Sequence, residues 1–299
     1  MYPLSFQEYL QANRENSLID ILRESSPTNP LPHPFHFRLI EHLRIFMITG
    51  GMPEVVDNYI QYQDLNRTVT LLDSLINNLD DDFAKYKALV PVSRLREVFK
   101  SVASQTGNKF KYSKVSLEDN HRQIKEAVEL LERAGLVYRV FHTHANGIPL
   151  GSELDSKKFK MILFDHGIHQ RIMGLDIKKL ILPKDYSSIY KGSLAEQFTG
   201  VELVKYHSSL LRPSLYYWHR EKSGSMAEVD YLVQKDEKII PIEVKAGGRG
   251  KMQSLRLFLS SKKADFGVRI ALENFSTYED VRVYPVYGIY NLIYNPTNS

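Results

Sequence analysis

The 299 residues contain no cysteine. Disulfide bonds and thiolate-ligated zinc are therefore excluded, which fits a reducing compartment. No run approaches the roughly 18 consecutive apolar residues of a membrane helix, and the opening Met1-Tyr-Pro-Leu-Ser lacks the basic and apolar stretches of a secretion leader. A cytoplasmic protein with no membrane partner is expected. The sequence also lacks the G-x-x-x-x-G-K-[ST] loop that cradles nucleotide phosphates. Gly247-Gly-Arg-Gly-Lys-Met252 only imitates it, because Met follows the lysine and the first glycine is misplaced. No nucleotide site is expected in this chain. Internal repeats and low-complexity segments are missing as well.

Other features are ordinary for a folded chain: 43% hydrophobic residues, 25% charged residues and a net charge of +4. The positive excess is concentrated. From Pro91 to Phe141 ten lysines and arginines face six acids, so this segment is where a polyanion such as DNA would be sought as a partner.

The densest chemistry lies in Ala227-Glu-Val-Asp-Tyr-Leu-Val233 and Ile240-Pro-Ile-Glu-Val-Lys-Ala246. Both read as strands, joined by a solvated hairpin turn over Gln234 to Lys238. Side chains alternate along a strand, so Glu243 and Lys245 share one face while Ile240, Ile242 and Val244 share the other. The hairpin would bring Asp230 beside Glu243. Two carboxylates, Asp230 and Glu243, can ligate Mg²⁺ or Mn²⁺, which lowers the pKa of a bound water and screens a phosphate. A lysine alongside, Lys245, can orient that water and stabilise charge on the phosphorus. An amphipathic hairpin whose Glu243 and Lys245 simply face water is the alternative reading of the same residues.

Upstream, Gly192-Ser-Leu-Ala-Glu-Gln-Phe198 opens a helical pattern, with Glu196 near its start. Read from the helix alone, this glutamate complements the helix dipole. The spacing Asp230-x12-Glu243-x-Lys245 resembles the PD-(D/E)xK phosphodiesterase superfamily. The resemblance implies catalytic roles for Asp230, Glu243, Lys245 and Glu196.

A wider set of motifs occurs in order: Gly50-Gly-Met-Pro-Glu54, Phe164-Asp-His-Gly-Ile168, Gly192-Ser-Leu-Ala-Glu196, Lys222-Ser-Gly224, Glu228-Val-Asp230 and Ile242-Glu-Val-Lys245. Together with Pro3-Leu-Ser-Phe-Gln-Glu-Tyr-Leu10, they resemble the C-terminal region of a prokaryotic AAA-type ATPase family, catalogued as domain of unknown function 4143. Members usually begin with a P-loop domain, which this chain lacks. The resemblance thus implies an ATPase partner in cis or in trans, with this chain as its DNA-processing effector region. A non-catalytic DNA- or protein-binding platform is the competing reading.

The expected fold class is α/β in three parts. Residues 1–62 read as a helical lid-like segment, broken by the proline-rich stretch Ser25 to Pro34. Residues 63–149 read as winged-helix-like, with His121 to Arg133 as recognition helix, Leu136 to Phe141 as strand and Asn146-Gly147 as the wing turn. Arg122, Gln123 and Lys125 suit phosphates, whereas Glu126, Glu129 and Glu132 repel them. Residues 150–299 read as a restriction-endonuclease-like α/β domain, with a tight turn at Asp165 to Ile168. His142, His144, His166 and His169 lack acidic partners at zinc spacing and read as surface or loop residues. Tyr216-Tyr-Trp218 reads equally as a base-stacking platform or a strand with one buried face.

Overall fold

The computed structural model describes residues 2–116, 121–174, 192–207, 213–222, 225–245 and 252–294. The Ser116 to Asn120 turn, the loop containing Pro183, the tip of the Arg220 to Ser225 turn and the glycine-rich stretch after Lys245 fall largely or wholly outside them. Within them the chain is mixed α/β, with eleven α-helices and one eight-stranded sheet.

Four helices come first: α1 (Phe6–Ala12), α2 (Asn16–Glu24), α3 (His33–Thr49) and α4 (Pro53–Tyr62). Ser5 opens α1 with a reciprocal capping box to Glu8, which satisfies two otherwise unpaired backbone donors. Proline at the first helical position opens α4, where its missing N–H costs nothing. Next come α5 (Leu65–Asp82), α6 (Val92–Gln105) and α7 (His121–Arg133). The strands are β1 (Val137–Thr143), β2 (Leu154–Leu163), β3 (Leu215–Lys222), β4 (Ser225–Lys235), β5 (Lys238–Val244), β6 (Gly267–Ala271), β7 (Ser276–Tyr278) and β8 (Val281–Pro285). Between and after them lie α8 (His166–Ile172), α9 (Gly192–Lys205), α10 (Gln253–Lys262) and α11 (Ile289–Tyr294).

The sheet order is β2-β1-β3-β4-β5-β6-β8-β7. Pairs β1–β3, β5–β6 and β6–β8 are parallel, and the other four are antiparallel. The β4–β5 turn is two residues long, Asp236 and Glu237, both with positive φ. That is the geometry whose twist matches a tight hairpin.

The N-terminal helices do not stand apart. One core joins Phe6, Leu10, Leu22 and Phe46 to Val140, Ile162, Phe198, Ile242 and Tyr287, so α1–α3 pack with α9 and one face of the sheet. A second core lies between α5–α8 and the other face of β1 and β2, with Val137, Met161 and Leu163 alternating against Val140 and Ile162. A third holds Trp218, Val229 and Leu232 against Phe258 of α10.

The segment Asp165 to Ile168 is the N-cap and first turn of α8 rather than an isolated tight turn. Asp165, fully buried, accepts from Ile168 N at 2.9 Å and from Gly51 N at 2.8 Å. Gly50 has φ of +70°, and a Cβ there would collide with the Asp165 carboxyl, so this contact requires glycine. The histidine reading also needs correction. His142, His166 and His169 are 3%, 1% and 1% exposed, and their Nε2 atoms bond the carbonyls of His219, Phe46 and Ala103. A neutral imidazole serves there as an internal donor to a backbone carbonyl.

Candidate functional site: a carboxylate–lysine cluster

The hairpin β4–β5 forms in the expected register, with Tyr231 opposite Ile242 and Val233 opposite Ile240. Ile240, Ile242 and Val244 are buried in the large core, which leaves Glu243 and Lys245 on the other side of β5. Lys245 lies one residue past the strand, its N–H held by Ile270 O at 2.9 Å, and its Nζ is 2.7 Å from Glu243 Oε1.

Asp230 is turned toward β5 by an irregularity in β4. Tyr216 pairs with Leu232 and Trp218 with Val229, so one residue of β3, Tyr217, opposes two of β4, Asp230 and Tyr231. Such a bulge re-aims side chains locally. Asp230 Oδ2 accepts from the N–H of Val244 at 2.8 Å, between Glu243 and Lys245 in the chain.

Glu196 arrives on α9. This helix is tied to the end of β2 by Gln197, whose amide bonds Leu163 N at 3.0 Å and Leu163 O at 2.7 Å. It is tied to β4 by Tyr231 Oη, which donates to Glu196 O at 2.8 Å. Gly200 lets the helix approach, because a Cβ there would strike Tyr231 and Ile162.

Two residues that the motif reading missed complete the cluster. Lys160 of β2 extends its ammonium to Glu228 at 2.5 Å, to Glu196 at 3.1 Å and to Asp230 at 3.7 Å, with its side chain only 3% exposed. Its Nζ also lies 5.3 Å from the centre of the Tyr217 ring. Glu228 could have been found from alternation, being two residues before Asp230. The signal for Lys160 was a lone lysine inside the apolar run Phe159 to Phe164. The loop after α6 borders the site: Gly107 packs on the Glu196 carboxyl, and Lys109 bridges Lys160 backbone to backbone. Lys109 Nζ is 3.2 Å from His219 Nδ1.

The electrostatics follow from four carboxylates, Glu196, Glu228, Asp230 and Glu243, against two ammonium groups, Lys160 and Lys245. Burial, then repulsion from Asp230, pushes Glu196 up to about 8. Burial also raises Asp230, assisted by Glu228 and Glu243 and opposed by Lys160 and the Val244 N–H. Burial works against the Lys160 charge, but Glu196, Asp230 and Glu228 overcome it and hold its pKa above the usual lysine value. Glu243 Oε2 is buried and accepts no hydrogen bond.

The donor chemistry suits a hard divalent cation, which takes carboxylate oxygens and would favour the ionised form of Glu196 and Asp230. The buried, unpaired Glu243 oxygen fits such a ligand. Among the described residues, however, no three Asp, Glu, His or Cys side chains stand in metal-holding positions. Glu196, Glu228 and Asp230 converge on the Lys160 ammonium instead, while Glu243 pairs with Lys245.

Fold and site together define a mixed α/β protein with a largely buried carboxylate–lysine cluster where a β-hairpin, a helix and a distant strand meet. Residues 191–289 match the family model of a domain of unknown function, DUF4143, and residues 40–179 match that of a second, DUF8612. Lys160 comes from the second matched segment; Glu196, Glu228, Asp230, Glu243 and Lys245 come from the first. Comparison with curated proteins and with solved structures gave no match. No helix among the described residues is long and apolar enough to cross a membrane.

Proposed function

We propose that this cluster is the site of a Mg²⁺- or Mn²⁺-dependent phosphodiesterase of PD-(D/E)xK type, acting on nucleic acid as the effector region of an AAA-type ATPase located in cis or in trans. The observation that carries this reading is the hydrogen bond from Val244 N to Asp230, which sets the first acid between Glu243 and Lys245. Asp230 and Glu243 would hold the ion, with Glu196 at the edge of its shell. The bound ion would supply an acidified water and screening of phosphate charge. Lys245, the most exposed of the group at 36%, would orient the water and offset charge on the phosphorus. Burial and Asp230 push Glu196 up to about 8 without the ion, and a cation beside it would favour its ionised form.

The test is cleavage of single- and double-stranded DNA and RNA with Mg²⁺ or Mn²⁺. Lys245→Ala should abolish cleavage without unfolding the chain, because a half-exposed side chain at a strand end leaves no core cavity. Glu243→Gln should also weaken Mn²⁺ binding, because it removes a ligand charge. Absence of cleavage by the wild-type protein on every substrate would favour a second reading, a non-cleaving DNA- or protein-binding platform for a partner ATPase. One observation supports that alternative: the Lys160 ammonium already sits among the acids.

A further inference from the structure

Lys160 is a costly residue where it stands. A buried ammonium loses hydration worth several kcal/mol, and only well-placed partners recover it. Three carboxylates do so here, yet they come from α9 and β4, while Lys160 rises from β2, separated from β4 in the sheet by β1 and β3. Its Nζ lies over the Tyr217 ring, 5.3 Å from the centroid, while it contacts them. A counter-ion serving structure alone would leave the cluster balanced. This one leaves the buried Glu243 Oε2 unpaired, with Glu243 held by Lys245 and not by Lys160.

We infer that Lys160 is a tethered cation that keeps the acids together before metal arrives, and that a divalent ion binds by displacing its ammonium from Asp230 and Glu196. Lys160 is then the positioning residue that sets the metal affinity of the site. This rests on the metal-site reading above. The ammonium need not be expelled into apolar surroundings, because Glu228, 32% exposed, can swing with it toward solvent. The clamp also explains why the acids lie close without standing in metal-holding positions.

The experiment is Mn²⁺ titration of the full chain, followed by electron paramagnetic resonance, for wild type and Lys160→Met. Methionine keeps the stem and the packing but removes the charge, so the variant should bind Mn²⁺ at least tenfold more tightly. In wild type, acetylation of Lys160 by an amine-reactive reagent, read by peptide mass spectrometry, should rise when Mn²⁺ is added. It should stay low in Glu243→Gln. This second readout applies even where the methionine variant fails to fold without metal. Equal Mn²⁺ affinity in the two proteins, or unchanged acetylation of Lys160 while Mn²⁺ is bound, overturns the displacement and leaves the metal site standing. Mn²⁺ binding by neither protein removes the metal site and the role of Lys160 together.

Discussion

Replacing Asp165 with alanine tests whether the Gly50-Gly51 junction holds the helices and the sheet as one unit. The carboxyl is fully buried and accepts two N–H groups, Ile168 at 2.9 Å and Gly51 at 2.8 Å. Loss of a helix cap costs about 1 kcal/mol, and a buried N–H left unsatisfied costs about 1–3 kcal/mol. Asp165→Ala should therefore lower stability by about 2–4 kcal/mol. With an m value of about 3 kcal/mol per M, the urea midpoint falls by about 1 M. Asp165→Asn should lose roughly half as much, since its oxygen keeps one donor while its amide faces the other. Urea unfolding would be followed by far-ultraviolet circular dichroism for the helices and by fluorescence of Trp218, the single tryptophan, 5% exposed in β3. The two probes should move together. A loss below about 1 kcal/mol, or a shift in circular dichroism with no shift in fluorescence, would refute the claim that Asp165 couples the two regions.

Two further outcomes are expected. His169, 1% exposed, is pushed down to about 4 by burial, so above its unfolded pKa of about 6.5 it costs nothing. As pH falls from about 6.5 to about 4 the unfolded chain takes up a proton that the folded chain refuses at His169, and this residue's share of the stability loss is about 3 kcal/mol; urea midpoints across this range should fall less steeply in His169→Gln, whose amide can still donate to Ala103 O, while His142 and His166, also lowered by burial, keep part of the slope. Arg122 and Lys125 of α7 are 90% and 66% exposed but pair with Glu126 and Glu129 one turn on, so reversing both to glutamate should change DNA affinity by less than about threefold, measured by fluorescence anisotropy at two salt concentrations.

Alternation made the hairpin legible. Ile240, Ile242 and Val244 were placed in the core from spacing alone, and the turn was placed from the polar run Gln234 to Lys238. The contact of Asp230 with Val244 was foreseeable as proximity but not as a hydrogen bond, because the bulge in β4 carries no glycine or proline to mark it. Lys160 was hidden for a different reason. It meets its partners only through the sheet order β2-β1-β3-β4, and the pairing of β1 with β3 joins strands that begin 78 residues apart. Burial of the histidines was equally non-local, since each depends on a carbonyl from another element.

The bulge in β4 has a consequence for how this strand can change. Ala227, Val229 and Leu232 share one core although their numbers differ in parity, and Tyr231 packs in another core beside Asp230. The two halves of the strand are out of phase by one residue, and the acid lies at the phase break. Substitutions can alter either half independently, but an insertion or deletion between Val229 and Leu232 would turn every side chain of one half to the opposite face. A change of length that spares both faces would have to fall at the Asp236-Glu237 turn, and the position of the acid is fixed by a count of residues as much as by their identity.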